Sequence, residues 1–318
     1  MKRIHRSLDS LSYVAGATQF VDLPKEFIYT GLHLDLAGSV TVTGALTLVD
    51  EVPARLVRRF ELVADGEVLQ SWPGEFLAAW NFMFHRRYPP RVVPGTSVAT
   101  HPFRQSWFLP LRLERSLTPG VAYFDPSRYR SVQLRVTWGT EADIYSAGTT
   151  SAFSATLTVT TRELMATAAQ LSSAGRFWDV LTNLQTHTTS GSVTGYTVQL
   201  PREQSVWGLL IRSAAAASPK LLSDLVNRLK LVERKTITVL DLTSGVMRSI
   251  MDWDLGPSED FETPSSTYND RIEAYYYIDL LERGIVDRVR PQAWQSYDLV
   301  LDLSAAAQID VMALQLRE

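Results

Sequence analysis

The sequence predicts an all-β protein built from two similar sandwich domains in tandem, and three observations lead there. Segments recur in the same order at nearly constant spacing, apolar residues alternate with period two, and turn residues interrupt the alternation at short intervals. Leu56 to Val63 reads LVRRFELV and Leu225 to Val232 reads LVNRLKLV, matching at five of eight positions with an offset of 169. Leu113-Glu114-Arg115 recurs as Leu281-Glu282-Arg283 at an offset of 168, after aromatic stretches that contain Trp107-Phe108 and Tyr275-Tyr276-Tyr277. Val132 to Thr137 pairs with Leu299 to Ser304 at an offset of 167. Chance similarity has no reason to hold its register through three matches, and the period is far too long for a solenoid, so a whole domain is duplicated.

Size and composition agree. A chain of 318 residues at ~100–200 per domain gives about two domains, each long enough to bury its own core. With 45% hydrophobic and 20% charged residues the chain falls among ordinary globular proteins. A formal net charge of −3 argues against direct nucleic-acid binding, which needs a basic excess to displace counterions from phosphates. The absence of cysteine removes disulfides, a thiolate nucleophile and Cys-based metal sites. Only Lys2, Lys25, Lys220, Lys230 and Lys235 share the basic residues with a large majority of arginines. Arginine's planar fork suits interfaces, although a GC-rich genome produces the same bias. The N-terminus lacks the apolar run of a signal peptide, and no stretch of ~18 or more apolar residues predicts a transmembrane helix.

The elements follow in order. Residues 1–23 read as an N-terminal arm whose Lys2, Arg3, His5 and Arg6 make it basic. Residues 24–165 form the first domain. There Leu32, Leu34 and Leu36 alternate with His33 and Asp35, Val132, Leu134 and Val136 with Gln133 and Arg135, and Leu157 and Val159 with threonines, the pattern of antiparallel strands with one face in solvent. Turn chemistry stands at Ala37-Gly38, Asp65-Gly66, Pro73-Gly74, Pro94-Gly95, Pro119-Gly120 and Gly256-Pro257. Many short strands with frequent turns favour a sandwich or jelly roll over a βαβ sheet. The stretch from Trp72 to Phe108, rich in Trp, Phe, Arg and Pro, is long for an insertion. Its Phe76, Leu77, Trp80 and Phe84 predict a helix face on the sandwich, and its Arg86, Arg87, Tyr88 and Arg91 are candidate intersubunit contacts, because Arg and aromatic residues concentrate at interfaces. Residues 166–194 read as a linker, with helical turns over Phe177, Val180, Leu181 and Leu184 and a Ser/Thr/Gly end. Residues 195–318 form the second domain, in which Ser218-Pro219 opens a short helix ending near Leu225, followed by a strand.

No catalytic or metal-ligand motif stands out. The five histidines, His5, His33, His85, His101 and His187, have no ligand-like spacing. His33, alternating with leucines, belongs on a strand's outer face, and His85 and His101 lie in the Pro/Arg-rich stretch as contact residues. Asp252-Trp253-Asp254 with Glu259, Asp260 and Glu262 makes an acidic loop, whose carboxylates and tryptophan would suit glycan chemistry if they converged on a cleft. No GxSxG, P-loop, GxGxxG or kinase motif occurs. The sequence thus assigns no catalytic residue, no metal and no cofactor, and predicts that the chain is not an enzyme.

Two tandem sandwiches, the ordered repeat, the basic arm, the aromatic insertions and the segment Pro53 to Ser71, PARLVRRFELVADGEVLQS, together resemble one family. It is the double-jelly-roll major capsid proteins of tailless icosahedral viruses with an internal membrane, of the bacteriophage type, and the resemblance spans Pro24 to Glu318. It implies two eight-stranded jelly rolls with short helices in loops and linker. It also implies a homotrimer that serves as a pseudo-hexameric tile, contacts with neighbouring trimers and minor capsid proteins, and a place in the virion shell after synthesis in the host cytoplasm. Lys2, Arg3 and Arg6 would then meet lipid phosphates of the membrane. The sequence departs from the family in its short N-terminal segment with a poor helix signal. Two other layouts resemble it as well. Tandem jelly-roll peptide:N-glycanases would need Asp252, Asp254 or Glu259 in a cleft with Trp253 as a sugar platform, and a phage adhesin would bind glycans through the aromatic loops.

Overall fold

A computed structural model describes residues 2–85, 90–113, 123–165, 179–255, 274–281, 289–294 and 296–317. The chain folds as two compact units, one up to Val180 and one from Leu181 onward.

In the first unit the strands are β1 (Lys2–Ser7), β2 (Leu11–Ser12), β3 (Thr18–Asp22), β4 (Ile28–Val42), β5 (Thr47–Leu48), β6 (Val57–Ala64), β7 (Glu67–Trp72), then helix α1 (Gly74–His85), β8 (Arg91–Val92), β9 (Thr100–Pro110), β10 (Val132–Trp138), β11 (Tyr145–Ala147) and β12 (Thr150–Met165). One sheet runs β1-β12-β4-β9-β8 and the other β3-β10-β6-β7, all antiparallel. The second unit comprises β13 (Asp179–Thr188), β14 (Val193–Gln199), β15 (Ser205–Ala215), β16 (Ser218–Leu222), β17 (Val226–Glu233), β18 (Ile237–Thr243), helix α2 (Ser244–Leu255), β19 (Tyr275–Asp279), β20 (Tyr297–Leu303) and β21 (Ala307–Arg317). Its sheets run β13-β21-β15, with β16 and β19 both pairing β15, and β14-β20-β17-β18. Strand for strand, β1-β12-β4-β9 corresponds to β13-β21-β15-β19, and β3-β10-β6-β7 to β14-β20-β17-β18. Each unit is an eight-stranded jelly roll, and the whole is a double jelly roll.

Alternation makes the cores. Val132, Leu134, Val136 and Trp138 of β10 are buried and the residues between them are not, and β20 repeats this with Tyr297, Leu299, Leu301 and Leu303. The register sharpens the sequence alignment here. Leu62 faces Leu134 and its counterpart Leu231 faces Leu299, so the offset at this strand is 165, not 167. The error of two residues preserved every side chain's face, because the strand period is two.

The duplication reaches features that the sequence match did not reveal. Asp65-Gly66 and Arg234-Lys235, 169 apart, both form hairpin turns with two successive positive φ values, 50° and 85° against 52° and 66°. Gly31 of β4 and Gly208 of β15 stand where a neighbouring aromatic ring crosses the strand. A Cβ at Gly31 would meet the Phe108 ring at 2.2 Å, and one at Gly208 would meet Tyr277 at 2.9 Å. Both pairs are the same diagonal, since Gly31 faces Pro110 and Gly208 faces Asp279, two positions beyond each ring. The helices dock at that point too. Buried Asn81 of α1 donates to the Phe108 carbonyl at 2.7 Å and accepts from the Phe108 amide at 2.7 Å. In the second unit the Tyr277 amide points at Met251 Sδ of α2 at 3.3 Å.

Several expectations are corrected. Residues 1–23 are not a separate arm, since β1 pairs with β12 over Lys2 to Ser7 and β3 pairs with β10. Charged residues conceal β1 because none of its side chains is fully buried. Within 166–194, residues 179–188 are strand β13 and β14 begins at Val193, so Val180, Leu181 and Leu184 lie on a strand, not on helical turns. A Thr-rich segment reads as linker by composition, yet Thr is β-branched and suits a half-exposed strand. Phe177 lies outside the described residues. Ser218–Leu222 is not a helix but strand β16, paired with β15. The supposed insertion from Trp72 to Phe108 becomes α1, β8 and β9, with Phe76, Leu77 and Trp80 buried as expected.

Candidate assembly surfaces

The basic N-terminal residues sit on β1, at the edge of a sheet. Lys2 and Arg3 are exposed. Arg6 instead reaches Glu26 at 2.8 Å and Glu163 at 3.4 Å and lies 6.0 Å from the Phe27 ring centroid. Glu163 is buried and also accepts from the Thr161 hydroxyl. The structure thus presents two of the three N-terminal cations to solvent and ties the third to carboxylates. Of the other candidate contact residues, Arg86, Arg87 and Tyr88 lie outside the described residues, while Arg91 opens β8 and pairs across to Gln105. Its chain neighbour Val92 is exposed, as is Val98 further along the same segment. His33 is exposed on β4 as expected, its ring 5.7 Å from His5 and 5.0 Å from Phe108. His101 belongs to β9, its Nε2 2.8 Å from the Ser97 carbonyl. The side chain of His85 lies outside the described residues.

Asp252, Trp253 and Asp254 are not a loop but the last turn of α2. Positions two apart on a helix point ~200° apart, so the two aspartates diverge from an exposed tryptophan and do not converge on a cleft. Glu259, Asp260 and Glu262 lie outside the described residues. Among the described residues no cluster of three or more His, Asp or Glu has the geometry to hold a metal, and no helix is long and apolar enough to cross a membrane.

Two sides of α2 behave differently. Met247 and Met251 face inward and are buried, and Arg248 fixes the helix laterally by donating to Asp224 and, at 3.1 Å, to the Tyr276 hydroxyl. Tyr276 also donates to Asp224. Burial, and then that bond to Asp224, push the Tyr276 phenol well above its usual range, so it stays a neutral donor. On the outer side Val246, Ile250 and Trp253 recur at i, i+4 and i+7, exposed by 48%, 37% and 88%. Helix α2 packs beside β18, an edge strand whose Ile237 and Val239 are also exposed. Sequence reasoning missed this face, although Val246, Met247, Ile250 and Met251 carried the helical spacing that would have found it.

No protein-family model and no curated protein sequence matches the chain. Solved structures do. The STIV MCP aligns over 99% of this chain and 97% of its own with a TM-score of 0.76 at 14% identity. The major capsid protein P2 from bacteriophage PM2 aligns over 100% and 98% with a TM-score of 0.60 at 12% identity. The Faustovirus major capsid protein aligns over 99% and 90% with a TM-score of 0.63 at 8% identity. At such identities the likeness establishes the double-jelly-roll fold, from the first strand to the last.

Proposed function

We propose that this chain is a major capsid protein, a structural virion component whose homotrimers present six similar jelly rolls as pseudo-hexameric tiles of an icosahedral shell over an internal membrane. The observation that carries this reading is the extent of the match. Both jelly rolls, with a helix after β7 in the first and after β18 in the second, align end to end with major capsid proteins, and almost nothing of the chain is left over for another task. A fold alone does not fix a function, but tandem units of one shape give a tile its quasi-sixfold outline, and individually modest contacts multiplied by symmetry then hold a shell. The partners in this reading are the same chain, neighbouring trimers and minor capsid proteins. Exposed Lys2 and Arg3 are the groups available to lipid phosphates, with Arg6 held back by Glu26 and Glu163. Light scattering after size exclusion over a wide dilution series tests the proposal. A mass of three chains that persists on dilution is expected, and a monomer at every concentration overturns it. Co-sedimentation with anionic vesicles, compared with the Lys2→Glu/Arg3→Glu variant, tests the lipid contact separately.

A further inference from the structure

The sequence segments at the ends of the two helices carry opposite charge, and exposed apolar side chains belong to the described parts of both. From the last residue of α1 the sequence runs HRRYPPRVVPGTSV, with three arginines and no acid. At the end of α2 it runs DWDLGPSEDFE, with five acids and no base. In the first of these segments, which also holds Arg91, Val92 and Val98 stand exposed, and on the helix that carries Asp252 and Asp254 so do Val246, Ile250 and Trp253. A tryptophan exposed by 88% on a helix whose counterpart is almost wholly buried is an apolar surface without a cover from its own unit.

We infer that the outer face of α2, through Val246, Ile250 and Trp253, docks on the Arg91–Val98 segment of a second copy of this chain. Charge decides the mode of contact. Packing α2 on α2, or the Arg91 segment on itself, would set like charges together, whereas packing α2 of one copy on the Arg91–Val98 segment of another sets opposite charges together and joins the second unit of one copy to the first unit of the next. Head-to-tail contacts close into rings when the rotation permits, and apolar anchors rimmed by opposite charge give such a contact both affinity and register. The inference rests on the tile reading and names the surfaces that reading requires.

The test uses the lack of any native cysteine, which makes each introduced thiol unique. Exposed Ser97 and Ser249 flank the two surfaces, so Ser97→Cys and Ser249→Cys proteins are prepared separately, mixed, and treated with a short bis-maleimide. A two-chain product containing one of each variant is expected in the mixture, with little from either variant alone. Self-linking of Ser249→Cys in place of the mixed product overturns the pairing of α2 with the Arg91–Val98 segment, and a wild-type mass of two chains overturns the ring. In parallel, Ile250→Lys/Trp253→Lys is expected to fall to one third of the wild-type mass with unchanged circular dichroism. A wild-type multimer with an unaffected double variant sinks the surface while leaving the tile reading intact, and a wild-type monomer sinks both. A double variant that is monomeric but unfolds like a core variant means that the face is covered from within its own chain, and the inference fails.

Discussion

The two units share one backbone plan and bury opposite layers of it. In the first, the helix is inside, with Phe76, Leu77, Trp80 and Met83 of α1 packed on the sandwich and Trp80 stacked on Phe84 and tilted against Trp72. The outer face of its larger sheet is in solvent, where β4 shows His33 and Ala37 and half-shows Asp35. In the second unit the corresponding residues of β15 are Leu210, Arg212 and Ala214, all buried, while the outer side of α2 is open. Duplication therefore preserved what the backbone requires: strand pairing, positive-φ hairpins, and a glycine under each crossing ring. Which outer layer is covered was free to change, provided that apolar side chains followed the cover. A helix apolar all round belongs in an interior, as α1 does, and a helix with two unlike sides belongs at a boundary, as α2 does.

The sharpest way to break this comparison is at the two helix tryptophans. Trp80 is 1% exposed and Trp253 is 88% exposed. Trp80→Ala should cost about 3–5 kcal/mol through lost transfer energy and a cavity, while Trp253→Ala should change the stability of the free chain by less than about 0.5 kcal/mol. Amide hydrogen exchange resolved by unit is the appropriate measurement, because a two-unit chain need not unfold in one step. Equal losses at both positions would mean that α2 is no more open than α1.

The reversed sheet faces predict the next effect. Asp35 and Arg212 occupy the same position in the two copies, each beside a strand partner, Thr158 and Asp310 respectively. Arg212 is buried and donates to Asp310 at 3.2 Å and to the Pro219 carbonyl at 3.0 Å, and Asp310 also accepts from Thr186 at 2.7 Å. Asp310→Ala leaves a buried guanidinium without its carboxylate, at an expected cost of about 3–5 kcal/mol. Asp35 makes a bidentate pair with Arg104, at 2.9 and 2.8 Å, but half in water. Asp35→Ala should therefore cost only about 0–1 kcal/mol. Comparable losses in denaturant titrations would show that the face carrying Arg212 is wetter than its burial implies.

A smaller asymmetry lies where each helix meets its sheet. Asn81→Ala strands a buried amide and a buried carbonyl of Phe108, for about 2–3 kcal/mol. Met251→Leu removes only a weak sulfur acceptor at nearly constant volume and should cost less than about 1.5 kcal/mol. Exchange of the Phe108 and Tyr277 amides reads both sites directly. A larger loss at Met251 would mean that the two clamps are not equivalent.

What the sequence revealed and what it hid follow from the same physics. Strands with one face in the core, such as β10 and β20, carry a period-two pattern that survives even a two-residue misalignment. Strands β1, β13 and β16 have little buried on either face, so nothing apolar marks them, and they passed for arm, linker and helix. Helix α1 was legible because its buried residues keep helical spacing. In α2 the acidic last turn outweighed the Val246, Met247, Ile250 and Met251 stripe. The apolar surface beside Trp253 depended on knowing which side of that helix is covered, and this is a property of the packing and not of the local sequence. The diagonal contacts at Gly31 and Gly208 were likewise hidden, since their offset of 177 differs from that of the rings they support.

The hairpin turns give the smallest effect and the cleanest measure of divergence. Both turns place two residues at positive φ, but the first uses Asp65-Gly66 and the second Arg234-Lys235. A left-handed backbone costs an L-residue with a Cβ about 1–2 kcal/mol, and glycine returns about 0.5–1 kcal/mol of this through its greater unfolded-state entropy. Lys235→Gly should then stabilise the second unit by about 0.5–1 kcal/mol, while Gly66→Ala should destabilise the first by a similar or slightly larger amount. Gly66 has open space around its Cα, so its substitution tests backbone conformation without a steric clash. Opposite signs at these two positions would establish that the second copy retained the turn after losing the residues that favour it. If instead Lys235→Gly destabilises, the lysine's own contacts outweigh the backbone, and the second turn owes its shape to tertiary packing.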